Sequence, residues 1–421
     1  MRIKTRTILA TLLLTFAAIS GSAMASPQNI EESPQKYFNN NGFSNLNNIV
    51  NNQDYSKKSL NNESTRKVTD LLINRKNGEL ASNTLYIGGK SELHATRKKS
   101  LYIIDSLEKI DARLELPCTQ LLLTSTLGEY FSGSMEFQIS DVISNLSNSS
   151  IKMPTAYFSM GNLKNFPGYI FGGRKIVSFG SLKSSDLYTS SLSSTYFTSY
   201  GDQIGLGYNS DGLNIIATFI GKFDSPFDSF INVYNTPGYA LNIFYDGKIK
   251  DLDYHLGVGY ANTTNFNSSI KKQEKENLSV GAISLNSGVS IKKLSLSGEF
   301  LVTTHSVSSW SPSVGNELFG NYADFSGLID FTSDSLNLIK AWNLESSYIL
   351  KIGGNDFIPY ASYSHILQNS ENNLYKIELG SKYNLFDTVW LSAGYSHSSG
   401  KDKGTQSSVD NAIAISTTVY F

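Results

Sequence analysis

Apolar and polar residues alternate with a period of two through most of this chain, and the alternation constrains the fold more than any other feature of the sequence. Near the end of the chain, Ile413, Ile415 and Val419 share one face of an extended segment, whereas Ala414 and Ser416 share the other. After residue 25, no run approaches the roughly 18 consecutive apolar residues that a membrane-spanning helix needs. The sequence therefore predicts an all-β protein.

The same alternation has charged residues on its polar face. Ile110 and Leu114 alternate with Asp111 and Arg113, a pattern that fits a soluble β-sandwich or an outer-membrane barrel with a wet lumen. The barrel is favoured because the segments are long, about 9 to 12 residues, as a tilted membrane crossing requires. Aromatic residues also recur near segment ends, as in an interfacial girdle. We therefore predict a transmembrane antiparallel up-and-down β-barrel in the outer membrane of a Gram-negative bacterium, surrounded by outer-membrane lipid.

The last residue of the chain supports this prediction. Phe421 ends an alternating segment, which is the ending that the outer-membrane assembly machinery recognises, so this machinery is a predicted partner. The strand candidates number sixteen, and an even number places both chain ends in the periplasm. They are residues 84–95, 108–117, 133–143, 154–162, 168–179, 201–208, 212–222, 237–247, 251–262, 278–288, 293–304, 340–350, 356–366, 374–383, 388–397 and 411–421.

Short and long connections alternate between these candidates, as expected for periplasmic turns and external loops. The connection 118–132 breaks the alternation, because it is long where a short turn is expected. Residues 321–332 are themselves strand-like and leave open an extra hairpin that would give eighteen strands.

The chain divides into three parts. Residues 1–25 have a basic start, a short apolar stretch and the small-x-small sequence Ala23-Met24-Ala25, which predicts a signal peptide. Residues 26–82 are rich in Asn and poor in apolar residues, which predicts a periplasmic leader that is mostly disordered, with a short helix at residues 68–73. Residues 83–421 form the predicted barrel.

Charge and composition exclude several classes of function. With 35 Lys and Arg against 36 Asp and Glu, the net charge is −1, which excludes a strongly basic nucleic-acid binder. The single cysteine, Cys118, excludes an intramolecular disulfide and a Cys-based zinc site. No phosphate-binding loop, dinucleotide fingerprint or HExxH motif is present. We predict a protein that is not an enzyme and has no resident cofactor.

Charged residues on the polar phase are the candidates for a solute path. Asp253 and His255, two residues apart on one face, are the best candidate pair for transient ferrous iron, and Glu299 with His305 is a second pair. Basic side chains could attract a carboxylate-rich siderophore, although mixed charges in a lumen also form salt bridges among themselves. The full set of lumen candidates is Asp111, Arg113, Glu115, Arg174, Asp253, His255, Glu299, His305, Glu345, Lys376, Glu378 and Lys382.

One further motif leaves an enzymatic alternative open. His397-Ser398-Ser399-Gly400 resembles the His-x-Ser-Asn pattern of outer-membrane phospholipase and lipid A deacylase, in which His and Ser lie two residues apart on the outward face. Gly400 stands where those enzymes have Asn, and no orienting acid or amide is evident nearby in the sequence.

Four stretches resemble the TonB-independent siderophore porins of the LbtU type and the related FslE/FupA-like iron-uptake proteins. They are residues 156–180 (AYFSMGNLKNFPGYIFGGRKIVSFG), with Ser178 where Pro is usual, and residues 296–307, 340–350 and 416–421. The resemblance implies TonB-independent import of iron, as a ferric siderophore or as ferrous ion, which would be a substrate rather than a cofactor. A general diffusion porin is the first alternative, and a surface barrel acting as a lipid hydrolase or adhesin is the second.

Overall fold

The structure is a computed structural model, and it describes part of the chain. The described residues are 49–50, 65–102, 107–140, 150–182, 191–221, 238–263, 280–310, 331–369, 372–386, 388–402 and 406–421. The predicted signal peptide and most of the predicted leader lie outside them. Among the described residues, none of the helices has the length and apolar character needed to cross a membrane.

Sixteen antiparallel strands form a closed barrel, as predicted. The strands are β1 Thr84–Tyr102, β2 Leu107–Leu127, β3 Phe131–Ser140, β4 Ser150–Met160, β5 Gly168–Ile176, β6 Tyr200–Ser210, β7 Leu213–Ile220, β8 Gly238–Ile249, β9 Leu252–Ala261, β10 Ala282–Ile291, β11 Leu294–Thr303, β12 in two pieces (Lys340–Tyr348 and Leu350–Ile352), β13 Asn355–Leu367, β14 Asn373–Phe386, β15 Val389–Asp402 and β16 Gln406–Tyr420. Each strand pairs with its sequence neighbours, and β1 pairs with both β2 and β16. Gly89 and Phe421 exchange two backbone hydrogen bonds of 2.8 and 3.0 Å at this closure.

Two points left open by the sequence are settled by the strand pairing. β2 continues to Leu127, so the connection to β3 is a short turn and the break in the short-long alternation disappears. The extension follows a register shift between Glu92 and His94 in the pairing of β1 with β2. Between β11 and β12, a two-stranded ribbon of Val307–Trp310 and Phe331–Asn337 stays outside the wall, because β11 pairs directly with β12. The barrel therefore has sixteen strands rather than eighteen, and residues 321–330 lie outside the described part.

Side-chain exposure follows the predicted alternation. Ile413 and Ile415 on β16 are 55% and 58% exposed, whereas Ala414 and Ser416 between and after them are 1% and 2% exposed. Exposed outward apolar side chains occur on every strand of the barrel except β13, whose outward residues are half-buried. The outer surface is thus an apolar band that suits lipid, and the inner face carries the polar and charged residues.

A helix lies inside the barrel. The sequence predicted a helix in this region but not its position in the interior. Helix α1 spans Lys67–Lys76 and includes the predicted helix at 68–73. Its buried residues Val68, Leu71 and Leu72 are spaced as one helical stripe, and they pack in a cluster with inward-facing side chains of β1, β2, β4, β5, β7 and β8. The helix expected at residues 68–73 is therefore longer than predicted and lies on the inner wall, because this stripe finds apolar partners there.

A second segment enters the barrel between β5 and β6. We call it the inserted segment and define it as residues 177–182 and 191–199, which include helix α2, Leu192–Phe197. All six residues of α2 are buried, and α2 contacts β11, β12 and β13 on the far side of the barrel. The inserted segment contributes Val177, Phe179 and Tyr196 to a second apolar cluster with inner-wall residues.

Candidate functional site in the barrel interior

Arg66, the residue before α1, binds β8. Arg66 donates from Nη1 to Asp246 Oδ1 at 3.2 Å and from Nη2 to Oδ2, and its guanidinium carbon lies 4.9 Å from the centre of the Phe244 ring. Burial lowers the pKa of Arg66, but the hydrogen bond to Asp246 and the charges of Asp70 and Asp246 outweigh burial and raise the pKa above its ordinary value. The helix is therefore held at this end by a bidentate charged pair.

Polar contacts also fix the rest of α1. Lys67 Nζ lies 3.0 Å from Glu136 Oε2 on β3, and both side chains are nearly buried. At the end of the helix, Arg75 Nη1 donates to the carbonyl of Phe131 at 2.8 Å and Nη2 donates to the carbonyl of Gly128 at 2.6 Å. These partners lie on β3 and on the turn before it. The helix thus spans the interior from β8 to the β2–β3 turn.

Thr65, two residues before helix α1, binds the inserted segment. Thr65 Oγ1 donates to the carbonyl of Gly180 at 2.8 Å, and Ser178 Oγ donates to the carbonyl of Thr65 at 3.1 Å. Lys175 Nζ, fully buried on β5, donates to Ser178 Oγ at 2.8 Å. Thr65 therefore joins the start of the helix to the inserted segment through hydrogen bonds.

The carboxylate of Glu299, on the far wall of the barrel, binds the backbone of the inserted segment. Glu299 on β11 accepts hydrogen bonds from the backbone N–H groups of Ser181 and Leu182 at 2.8 and 2.9 Å, and from Ser284 Oγ at 2.8 Å. Gly180 has a φ of +67°, and a Cβ there would lie 2.6 Å from Glu299 Oε1. Glu299 was a candidate for a solute contact, but its oxygens are occupied in anchoring this loop.

The inner wall of β8 to β12 and Ser181 of the inserted segment line a cavity of about 530 Å³, which we call the polar cavity after its inward-facing side chains. Its inward-facing lining includes Asp253, His255, Asn286, Ser295, Ser297 and Asn343. Asn286 Nδ2 and Asn343 Oδ1 are buried and have no partner among the described residues. One free donor and one free acceptor therefore flank Glu299, because Asn286, Glu299 and Asn343 are cross-strand neighbours in one row. The sequence-based search for charged residues missed these two amides, since a neutral side chain gives no signal of that kind.

Asp253 and His255 lie on the same wall, but neither is free for a metal. His255 Nδ1 lies 2.7 Å from Asp246 Oδ1, and its Nε2 lies 2.7 Å from Asn286 Oδ1. Asp253 Oδ1 lies 3.1 Å from Lys248 Nζ. In the part of the chain that the structure describes, no group of three His, Cys, Asp or Glu residues could hold a metal ion. Iron coordination by this pair would require breaking existing contacts.

Most other lumen candidates face inward and are engaged with neighbouring groups. Lys376 Nζ lies 3.2 Å from Glu378 Oε2, with both side chains essentially inaccessible. Asp111 and Arg113 form an ion pair. Glu345 Oε1 accepts from Asn343 Nδ2 at 2.8 Å. Lys382 Nζ lies 5.5 Å from the centre of the Tyr360 ring. These contacts match the alternative in which lumen charges pair with each other.

Two candidates are not placed as predicted, and the prediction for a third stays untested. Arg174 lies opposite Asp202, which shares the outward phase of the exposed Ile204, so Arg174 faces outward and its neighbour Lys175 faces inward. His305 lies beyond the end of β11, exposed at the rim, and is not brought together with Glu299. Glu115 lies on β2, but its side chain is outside the described part.

The hydrolase motif faces outward, as its phase predicted. His397 Nδ1 lies 2.9 Å from Oδ1 of Asn411, its cross-strand neighbour on β16. The orienting amide that the sequence did not reveal is thus present, on the next strand rather than at position 400. No hydrogen bond joins Ser399 to His397 among the described residues, so the contact that would activate a serine nucleophile is not formed.

The sequence matches no family model and no curated protein. Solved structures are similar in fold. The outer membrane channel DcaP of Acinetobacter baumannii superposes with a TM-score of 0.57 at 13% identity, over 80% of this chain and 97% of that one. OmpT, an outer membrane protein of Vibrio cholerae, superposes with a TM-score of 0.51 at 11% identity, over 80% of this chain and 97% of that one. With its apolar outer band, the chain is an outer-membrane β-barrel of a Gram-negative bacterium.

Proposed function

We propose that the chain is a porin-like transporter that admits iron across the outer membrane without TonB. The observation that supports a solute passage is the polar cavity on the inner wall of β8 to β12. Its volume of about 530 Å³ falls within the range of about 300 to 1,000 Å³ that is typical of small-molecule sites. Iron as the solute is supported by the resemblance of four stretches to siderophore porins. Insertion by the outer-membrane assembly machinery, through the strand ending in Phe421, belongs to the same proposal.

The chemistry of the cavity favours an organic iron complex over the bare ferrous ion. Its free groups are neutral, the donor Asn286 Nδ2 and the acceptor Asn343 Oδ1. Serine side chains such as Ser295 and Ser297 line the same wall. Neutral donors and acceptors suit the hydroxyl and carbonyl groups of a siderophore, whereas a bare cation would require free carboxylate or imidazole ligands.

A general diffusion porin is the second candidate. The fold is shared with a protein described as an outer membrane channel, and the paired charges inside the barrel suit a water-filled passage without iron specificity. Permeation of unrelated sugars at rates set by size alone would favour this candidate.

Uptake of radioactive iron by a deletion strain tests the proposal. We expect loss of uptake of the siderophore-bound form, restored by the wild-type gene. A gene carrying Asn286→Ala and Asn343→Ala should restore uptake poorly, because both free amide groups are removed. The matched control is Ser346→Ala with Ser381→Ala, on the outward faces of β12 and β14. Unchanged uptake of both ferrous and siderophore-bound iron in the deletion strain would refute the iron assignment, and liposome swelling with sugars would then identify a general porin.

A further inference from the structure

Basic side chains face outward on one side of the barrel. Arg97 and Lys99 on β1 and Lys401 on β15 are exposed and share the phase of lipid-facing neighbours such as Leu93 and Tyr395. By contrast, the outward phases of β7 to β11 carry no charged residue within their described bounds. A charged side chain in the lipid-facing band is costly unless it reaches the interface. These three cations therefore need an interfacial position or a binding partner that offsets the cost of their exposure to lipid.

Their height on the wall places them at the interface opposite the short turns. Gly89 pairs with Phe421 at the short-turn end, and Arg97 and Lys99 come 8 and 10 residues later on β1. A strand needs about 9 to 11 residues to cross the hydrocarbon core. The cations thus lie at headgroup level on the side of the long loops, which is the external side of an outer-membrane barrel.

Polar side chains on the neighbouring strands form a row with these cations. Lys99 lies directly across from Asn411 on β16, and Asn411 lies directly across from His397 on β15. Tyr395 Oη donates to Asn411 Oδ1 at 2.7 Å, and His397 Nδ1 lies 2.9 Å from the same oxygen. The Tyr375 ring packs 5.9 Å from the His397 ring. The hydrogen bonds and ring contact give this outward row a fixed geometry.

We propose that this outward face of β1, β15 and β16 binds the phosphorylated headgroup of an outer-leaflet glycolipid. Arg97, Lys99 and Lys401 supply the charge for its phosphates. The row of Tyr395, His397 and Asn411 contacts the sugar, and the apolar residues below it contact the acyl chains. Glu108 pairs with Lys99 at 2.9 Å and leaves the patch with a net positive charge.

Binding of diphosphoryl lipid A to the refolded mature protein in detergent tests this assignment. The wild type should retain lipid A in native mass spectrometry. The variant Arg97→Gln/Lys99→Gln/Lys401→Gln should bind it about tenfold more weakly or worse, as loss of about 1.4 kcal/mol or more predicts. The matched control is Lys164→Gln/Lys293→Gln/Lys351→Gln, which removes the same charge at the short-turn end.

Further arms separate the alternatives. Dephosphorylated lipid A should bind poorly, and millimolar inorganic phosphate should fail to displace the intact lipid, since acyl contacts add to its affinity. Equal binding by the two triple variants, or equal binding of the dephosphorylated lipid, would overturn the proposal. Displacement by inorganic phosphate alone would also overturn it, in favour of a free-phosphate site. If the wild type releases fatty acid from lipid A and the Ser399→Ala variant does not, the face is an esterase site and the proposal of a binding site is overturned.

Discussion

The position of α1 inside the barrel predicts that loosening the helix widens the passage. Leu71 and Leu72 are 1% and 2% exposed and lie in the cluster between the helix and the inner wall. Truncation of a buried Leu to Ala costs about 2 to 5 kcal/mol, so the double variant Leu71→Ala/Leu72→Ala should weaken docking by about 4 to 10 kcal/mol. Because 1.4 kcal/mol is tenfold, even about 4 kcal/mol shifts the ratio of docked to undocked helix by about three powers of ten.

Single-channel conductance in planar bilayers measures the effect directly. We expect larger conductance steps for the double variant than for the wild type, since the helix occupies the β1 to β8 half of the interior. The matched control is Leu256→Ala/Leu285→Ala, which makes the same chemical change at outward positions that are 54% and 53% exposed. If the double variant folds into the barrel and its conductance equals that of the wild type, the helix does not stand in the solute path.

Two other substitutions test the attachments of the interior elements. Asp246→Asn should raise channel opening, because loss of a hydrogen-bonded charged partner for the helix costs about 1.5 to 3 kcal/mol. Asp356→Asn, which removes the partner of Lys351 at the β12–β13 turn, should leave bilayer recordings unchanged. Gly180→Ala should speed hydrogen exchange of the Ser181 amide, because a Cβ at φ +67° would lie 2.6 Å from the carboxylate that holds this amide. Gly78→Ala is its control, since φ there is +80° but no atom lies within 4 Å of the added Cβ. Equal acceleration of hydrogen exchange at the amide that follows each glycine would show that backbone strain alone, and not the contact with the carboxylate, is responsible.

The barrel wall could be predicted from the sequence because its signal is local. Each strand needs only an alternation of period two, and lipid outside with water inside imposes that alternation on all sixteen strands. The short helix predicted at residues 68–73 is likewise a local feature, and it lies within α1. Its location could not be predicted, since its partners on β1 to β8 come from residues up to about 170 positions later.

In the candidate site, too, contacts between residues that are distant in sequence could not be predicted. The sequence selected charged residues, but Glu299 anchors a loop that is distant in sequence. Arg174 was assigned to the inner face, but the pairing of β5 with β6 places it in phase with the outward residue Ile170. Asn411 was missed as the partner of His397 because cross-strand register depends on the length of the connecting loop.

Modification of a cysteine on the inner wall tests most directly whether solutes pass through the polar cavity. In a Cys118→Ser background, a water-soluble thiol reagent is added to channels carrying either Ser297→Cys, on the cavity wall, or Leu344→Cys, on the outward face of β12. We expect the reagent to reduce the conductance of the Ser297→Cys channel in a single irreversible step and to leave the Leu344→Cys channel unchanged. A Ser297→Cys channel that conducts and is unaffected by the reagent would contradict a solute path through this cavity.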